Sequence, residues 1–181
     1  EIGKRQKADN VSGLLGESGF REYMNQLDTP LETGYLLRIG IDHFKEINDN
    51  FGQEYGDFVL RKTADCISGC ISEAQKVYKL VADEFLILDV ASDEAKDADK
   101  LYDKVREAID RFIETNEFKV MYTVSGGIVP FAALKGNQYS EALKLTDFAL
   151  NEAKKLGRNR CYIFNEETYR RFLRKREITQ E

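Results

Sequence analysis

The sequence predicts an α/β (α+β) domain, with a central, mostly antiparallel five-stranded sheet flanked by helices. Three observations lead there. Residues 77–80 and 85–90 are strand-like runs with very few residues between them, the mark of a hairpin, although the connection lacks the usual Gly or Asn. Over residues 93–115, Ala98, Leu101, Val105, Ile109, Phe112 and Ile113 recur at spacings of three and four, the stripe of an amphipathic helix. Elsewhere helical and strand patterns alternate, which implies helices packed on a mixed sheet.

In chain order, residues 1–8 are polar and charged and read as a connector. Residues 19–27 carry Phe20, Met24 and Leu27 at helical spacing. Thr29-Pro30 ends that helix, because the residue before proline avoids helical angles. Residues 35–41 are short, apolar and flanked by glycine, so they read as a buried strand. Asp42 is predicted to cap a helix that starts at His43. Gly52 and Gly56 bracket a turn before a helix over 57–68. After the hairpin and the 93–115 helix, a strand spans 119–130, and Gly126-Gly127 break it as a bulge. A helix over 140–156 has Ser140 as its cap and Gly157 just past its end. A short strand over 160–164 and a charged, exposed helix over 166–175 complete the chain.

The 181 residues suit one domain with a sizeable core. No apolar run approaches the ~20 residues of a membrane helix, so no membrane insertion is expected in this segment. A net charge of −5 argues against a general nucleic-acid binder, which carries a basic excess. Cys66, Cys70 and Cys161 form no disulfide framework and suit a reducing, cytoplasmic setting. With no initiator Met, the chain reads as a piece of a longer protein.

Residues 39–52 run from a strand into a helix that carries Lys45 and Asn48 on one face. A phosphate there would meet free backbone N–H groups and a lysine. Asn48 and Asp57 together offer the donor and acceptors that read a purine edge. On spacing alone, the plainer reading is that Asp42 caps the helix and Lys45 is solvated.

Five blocks in register change that balance. Residues 39–57 are similar to the pattern DxDxFKxxND…GxxxGD. Asp9-Asn10-Val11-Ser12-Gly13-Leu14 is similar to DxLTGL. Val81-Ala82-Asp83-Glu84-Phe85 sits on the hairpin. Thr123-Val124-Ser125-Gly126-Gly127-Ile128 is similar to TVSxGI. The stretch from Asp147 to Arg160 is similar to ADxALYxAKxxGRNR. The chain resembles a GGDEF (diguanylate cyclase) domain over roughly residues 9–165, and its fold is then expected to be nucleotide-cyclase or palm-like. Residues 166–181 resemble the linker helix that leads towards a further domain.

The resemblance implies bacterial cyclic di-GMP signalling, in which two GTP molecules are joined across a dimer. Guanine contacts map to Asn48 and Asp57, and phosphate contacts to Phe44, Lys45, Lys154 and Arg158. The metal donors map to Asp83 and the Ile41 backbone carbonyl, and Glu84 matches the neighbouring acid. Magnesium is expected only with bound nucleotide. GTP is a candidate ligand, a homodimer a candidate assembly, and a linked EAL phosphodiesterase or sensory domain the expected partner.

Three departures qualify this. Gly40 stands where the family has a metal-binding aspartate. Val81-Ala82 replace Gly-Gly, and a left-handed Val would cost about 1–2 kcal/mol. Ser72-Glu73-Ala74-Gln75 lack the RxxD of the product-inhibition site. Asp83 and Glu84 are therefore read as vestigial catalytic residues. The expected function is a catalytically degenerate GGDEF domain, a regulatory or GTP-sensing module for a linked domain. An active or weakly active diguanylate cyclase and a nucleotide-free interaction module are the alternatives.

Overall fold

The computed structural model describes residues 8–115 and 120–180. In chain order its elements are β1 (Leu15–Gly16), α1 (Glu17–Asn25), β2 (Tyr35–Ile41), α2 (Phe44–Phe51), α3 (Gln53–Ser68), β3 (Gln75–Lys79), β4 (Glu84–Asp89), α4 (Ala95–Thr115), β5 (Val124–Pro130), a 3-10 turn (Phe131–Ala133), α5 (Gln138–Lys155), β6 (Cys161–Ile163) and α6 (Glu166–Gln180). The sheet order is β1-β3-β4-β2-β5-β6. β2 pairs antiparallel with β4 and β5, and β3 with β4. β1 and β6 add parallel edges on β3 and β5. The sheet thus has six strands, not five. The missed strand, β1, is two residues long, too short to show a period.

Alternation along β2 divides the core. Leu37, Ile39 and Ile41 pack with Val59 and Ala64 of α3 and Val105 and Ile109 of α4. Leu36 faces the other way, towards Phe20 of α1 and Leu145 and Ala149 of α5. Arg38 and Gly40 share the Leu36 face and therefore look towards α5.

Several local expectations are corrected. β5 runs unbroken from Val124 to Pro130, with regular pairing to β2 through both glycines, so there is no bulge. A Cβ on Gly127 would lie 2.6 Å from the Ala149 backbone carbon, and one on Gly126 2.9 Å from Tyr102 Cδ1. The glycines admit helices on both faces. The expected strand start at Lys119 lies outside the described residues, as does most of the 1–8 connector. Gly52, at φ 90°, makes the break between α2 and α3 alone; Gly56 lies inside α3, which starts at Gln53 rather than 57. α5 is capped by Asn137, whose side chain accepts from the Ser140 N–H, so Ser140 is not the cap.

α6 is longer than expected and is not simply solvated. Tyr169 and Phe172 pack on Phe148 of α5, each with ring centroids 5.0 Å apart. The cysteines are free, and burial pushes the Cys66 thiol up to about 11, so it behaves as an inert core group. Among the described residues, no helix is long and apolar enough to cross a membrane.

Candidate nucleotide site

α2 and α3 form one wall. Phe44 opens α2, Lys45 beside it is exposed, and Asn48 follows one turn on. Asn48 leans on the Gly56 backbone, where a Cβ would overlap the Asn48 side-chain oxygen and come within 3.3 Å of Phe44 Cζ. Asp57, half-buried, follows Gly56, so the structure brings Phe44, Asn48 and the Asp57 turn of α3 together. Asn48 Oδ1 is buried and accepts no hydrogen bond within the protein. An orphaned acceptor beside a half-buried carboxylate is a donor-seeking pair, and an amidine edge such as that of guanine supplies two N–H groups.

The β3–β4 turn carries Val81, Ala82 and Asp83. The left-handed residue is Ala82, at φ 57°, and not Val81, whose side chain is 71% exposed. The expected strain therefore falls one position later, on a residue without a branched Cβ. Sequence reasoning missed Lys79, which closes this turn. It is 7% exposed, and its Nζ donates to the Leu80 and Ala82 carbonyls at 2.5 and 2.6 Å. Burial pulls its ammonium below the ordinary lysine value, against the opposing pull of Asp9, Asp83 and Glu84. Ala82→Gly is expected to raise stability by about 0.5–1 kcal/mol in urea unfolding, because glycine escapes the left-handed penalty. A loss of stability would mean the turn carries no such strain.

Asp83 is half-buried, and its carbonyl accepts from the Ile41 N–H at 3.3 Å. Burial, reinforced by Glu84, pushes its carboxyl above the usual carboxylate value, with Lys154 and Lys79 pulling the other way. Gly40 lies opposite. A Cβ there would stand 3.7 Å from Asp83 Oδ2 and 3.6 Å from Glu84 Cγ, so position 40 points straight at both acids and offers them nothing. Glu84 is already engaged: Arg38 Nε donates to its Oε1 at 2.7 Å. Arg38 was read only as part of a buried strand. The signal was a charged residue inside the apolar run of 36–41, since such residues are almost never fully buried unless paired.

Asp42 caps no helix. α2 starts from His43, at φ 57°, without a side-chain cap. Asp42 is 3% exposed and accepts from Thr123 Oγ1 and Ser125 Oγ at 2.6 Å each and from the Asn159 N–H at 3.1 Å. It ties the end of β2 to β5 and to the loop after α5. In that loop Gly157, Arg158 and Asn159 are all left-handed, at φ 122°, 63° and 50°. Arg158 thus stands on the turn, past the end of α5, while Lys154 is on the helix. Both line a cavity of about 480 Å³ between α5 and α6, together with Tyr169, Phe172 and Arg176. Ser72 and Gln75, at the inhibitory-site positions, bond to each other at 2.8 Å.

The donors left for a metal are the Asp83 side chain and the Ile41 carbonyl. Among the described residues, no three His, Cys, Asp or Glu side chains gather to hold one. With Gly40 bare and Glu84 bound to a guanidinium, this set does not fit a divalent ion.

A sequence profile for "Diguanylate cyclase, GGDEF domain" matches residues 7–160. The diguanylate cyclase DgcZ of Escherichia coli is 29% identical over 167 residues, covering 90% of this chain and 55% of DgcZ. The cyclic di-GMP phosphodiesterase NbdA of Pseudomonas aeruginosa is 26% identical over 178 residues, 96% of this chain and 22% of NbdA. The chain spans about half the length, or less, of these relatives. Among solved structures, the GGDEF domain of YfiN (TpbB) from Pseudomonas aeruginosa has a TM-score of 0.74 at 24% identity, covering 97% of this chain and all of that one. The GGDEF domain of DgcB from Caulobacter crescentus, in complex with c-di-GMP, has a TM-score of 0.74 at 25% identity, covering 88% and 97%. The profile takes in β1 to β5 and the α2–α3 wall, and the chain belongs to the GGDEF domain family of diguanylate cyclases, in c-di-GMP signalling.

Proposed function

We propose that this chain is a catalytically degenerate GGDEF domain that binds GTP and regulates a linked domain. The observation that carries the loss of catalysis is Gly40, aimed at Asp83 and Glu84 without a side chain. Cyclisation is attack of a ribose 3′-hydroxyl on an α-phosphate, with pyrophosphate leaving, and negative charge accumulates on the phosphoryl oxygens. Losing a metal-held charge site costs several kcal/mol of transition-state stabilisation, roughly a thousandfold or more in rate.

Recognition is a separate matter from chemistry. The orphaned Asn48 Oδ1 beside Asp57 supports guanine binding, and Lys154 and Arg158 on one cavity supply cations for phosphates. NbdA, named a phosphodiesterase, and the EAL/GGDEF protein of M. capsulatus, whose structure matches at a TM-score of 0.66 and 26% identity, support pairing with an EAL domain. α6 is the segment that would reach such a neighbour, and its docking on Phe148 is a route from α5 to that neighbour.

The test has two arms. Concentrated protein with GTP and Mg²⁺ or Mn²⁺ is expected to give no more cyclic di-GMP than Asp83→Ala; product above that control overturns the loss of catalysis. Calorimetry with GTP is expected to give binding that Asn48→Ala weakens about tenfold or more, the loss of a paired buried contact. Absence of heat at millimolar GTP overturns the sensing role and leaves a nucleotide-free interaction module.

A further inference from the structure

Arg38 lies two residues before Gly40 on the same face of β2, and it is 8% exposed. Beyond its bond to Glu84, its Nη1 donates to the Leu143 carbonyl at 2.9 Å and to Thr146 Oγ1 at 3.2 Å. Its Nη2 lies 3.8 Å from Asp147 Oδ1. β4 and α5 therefore grip one guanidinium from both sides. Its planar guanidinium fork is rigid. The result is a positive charge fixed against Glu84, the second acid of the hairpin, whose Cγ also lies 3.6 Å from where a Gly40 Cβ would stand.

We infer that Arg38 is a built-in cation that occupies Glu84, the second hairpin acid, in place of a divalent metal, so that the site takes the phosphates of a nucleoside triphosphate without a bridging metal. This rests on the proposed non-cyclising, nucleotide-binding reading. The argument is one of competition. A divalent ion at Glu84 would have to break a 2.7 Å charge-assisted bond and sit beside a positive charge. Gly40 adds no carboxylate to offset either penalty. The phosphates keep two direct partners, Lys154 and Arg158, which need no metal to attract an anion. β2 then carries both parts of one device: no carboxylate at position 40 and a cation at position 38.

Mn²⁺ alone is the first probe, read by paramagnetic-resonance titration and thermal unfolding. For the wild type, Mn²⁺ is expected to stay free to about 1 mM. Its Tm should differ by less than about 1 °C between Mn²⁺ and EDTA, as mass action requires below a dissociation constant. Arg38→Met should lower Tm by roughly 6 °C or more, because it leaves Glu84 without its cation. Adding Gly40→Asp to that variant should create Mn²⁺ binding at least about tenfold tighter than wild type, with two carboxylates freed for the ion. Position 40 accepts the change: its nearest neighbour is the flexible Leu150 side chain, at 3.3 Å, and its φ lies outside the left-handed region.

Wild-type Mn²⁺ binding that Asp83→Ala abolishes overturns the inference, and so does an unchanged Tm in Arg38→Met. If the variants fail to fold, the wild-type titration decides alone. In GTP calorimetry, affinity in EDTA should stay within about threefold of that in Mg²⁺, and a loss of tenfold, about 1.4 kcal/mol, overturns it. The underlying reading fails separately. Cyclic di-GMP formed without added metal would overturn the loss of catalysis and leave Arg38 in its role, whereas Mn²⁺ binding without product does the reverse.

Discussion

Gly127→Ala is expected to lower stability by about 3 kcal/mol or more, read as a fall in Tm of roughly 6–12 °C. The added methyl would meet the backbone of α5 itself: the Leu150 nitrogen, and the Ala149 carbonyl carbon at 2.6 Å. A helix backbone cannot step aside as a side chain can. α5 would have to lift off β5, and with it Leu145, Ala149 and the apolar layer they share with Leu36 and Val129. Gly126→Ala is the matched control on the other face. Its nearest atoms are the side chains of Tyr102, Cys161 and Leu37, at 2.9, 3.1 and 3.2 Å, which can shift at a cost of about 1 kcal/mol. If the Gly126 variant proves the less stable of the two, close backbone approach is not what this glycine pair provides.

Asp42→Ala should cost about 3–5 kcal/mol. The change strands the buried Ser125 hydroxyl, the half-buried Thr123 hydroxyl and one backbone N–H, each facing an unmet hydrogen-bonding requirement once the carboxylate is gone. It also releases the loop in which Arg158 and Asn159 hold left-handed angles against a steric penalty of about 1–2 kcal/mol apiece. Asp42→Asn should cost about half as much, since the Thr123 and Ser125 hydroxyls can rotate to meet an amide. Hydrogen exchange locates the effect. The Asn159 amide should lose protection in both variants, and protection held at the wild-type level would rule out Asp42 as the anchor of that loop.

The elements that drive the fold were legible because they repeat. β2 was read at its true ends from one apolar run, and α4 from its stripe. What escaped was long-range. Asp42 looks like a helix cap because capping is a local rule, yet its partners are Thr123, Ser125 and Asn159, far along the chain. Gly126-Gly127 looks like a bulge because the helix it admits lies elsewhere in the sequence. Of the candidate positions, Asn48 meets Gly56, and Lys154 pulls on the Asp83 carboxyl. The closures around the site were not legible: Lys79 and Arg38 are charged residues inside strands, and only the fold reveals what each one neutralises.

The pairing of β2 bears on how the chain is made. Its first neighbour, β4, arrives with residues 84–89, but its second, β5, pairs Gly127 with Arg38 and Val129 with Leu36. During synthesis at 5–20 residues per second, the second edge of this apolar strand waits on the order of 5–20 s for its partner. Through that interval an unpaired row of N–H and C=O groups lies open to any other nascent strand. Slowed translation between residues 90 and 124 should therefore raise aggregation on the ribosome more than the same delay after residue 130, once the edge is sealed.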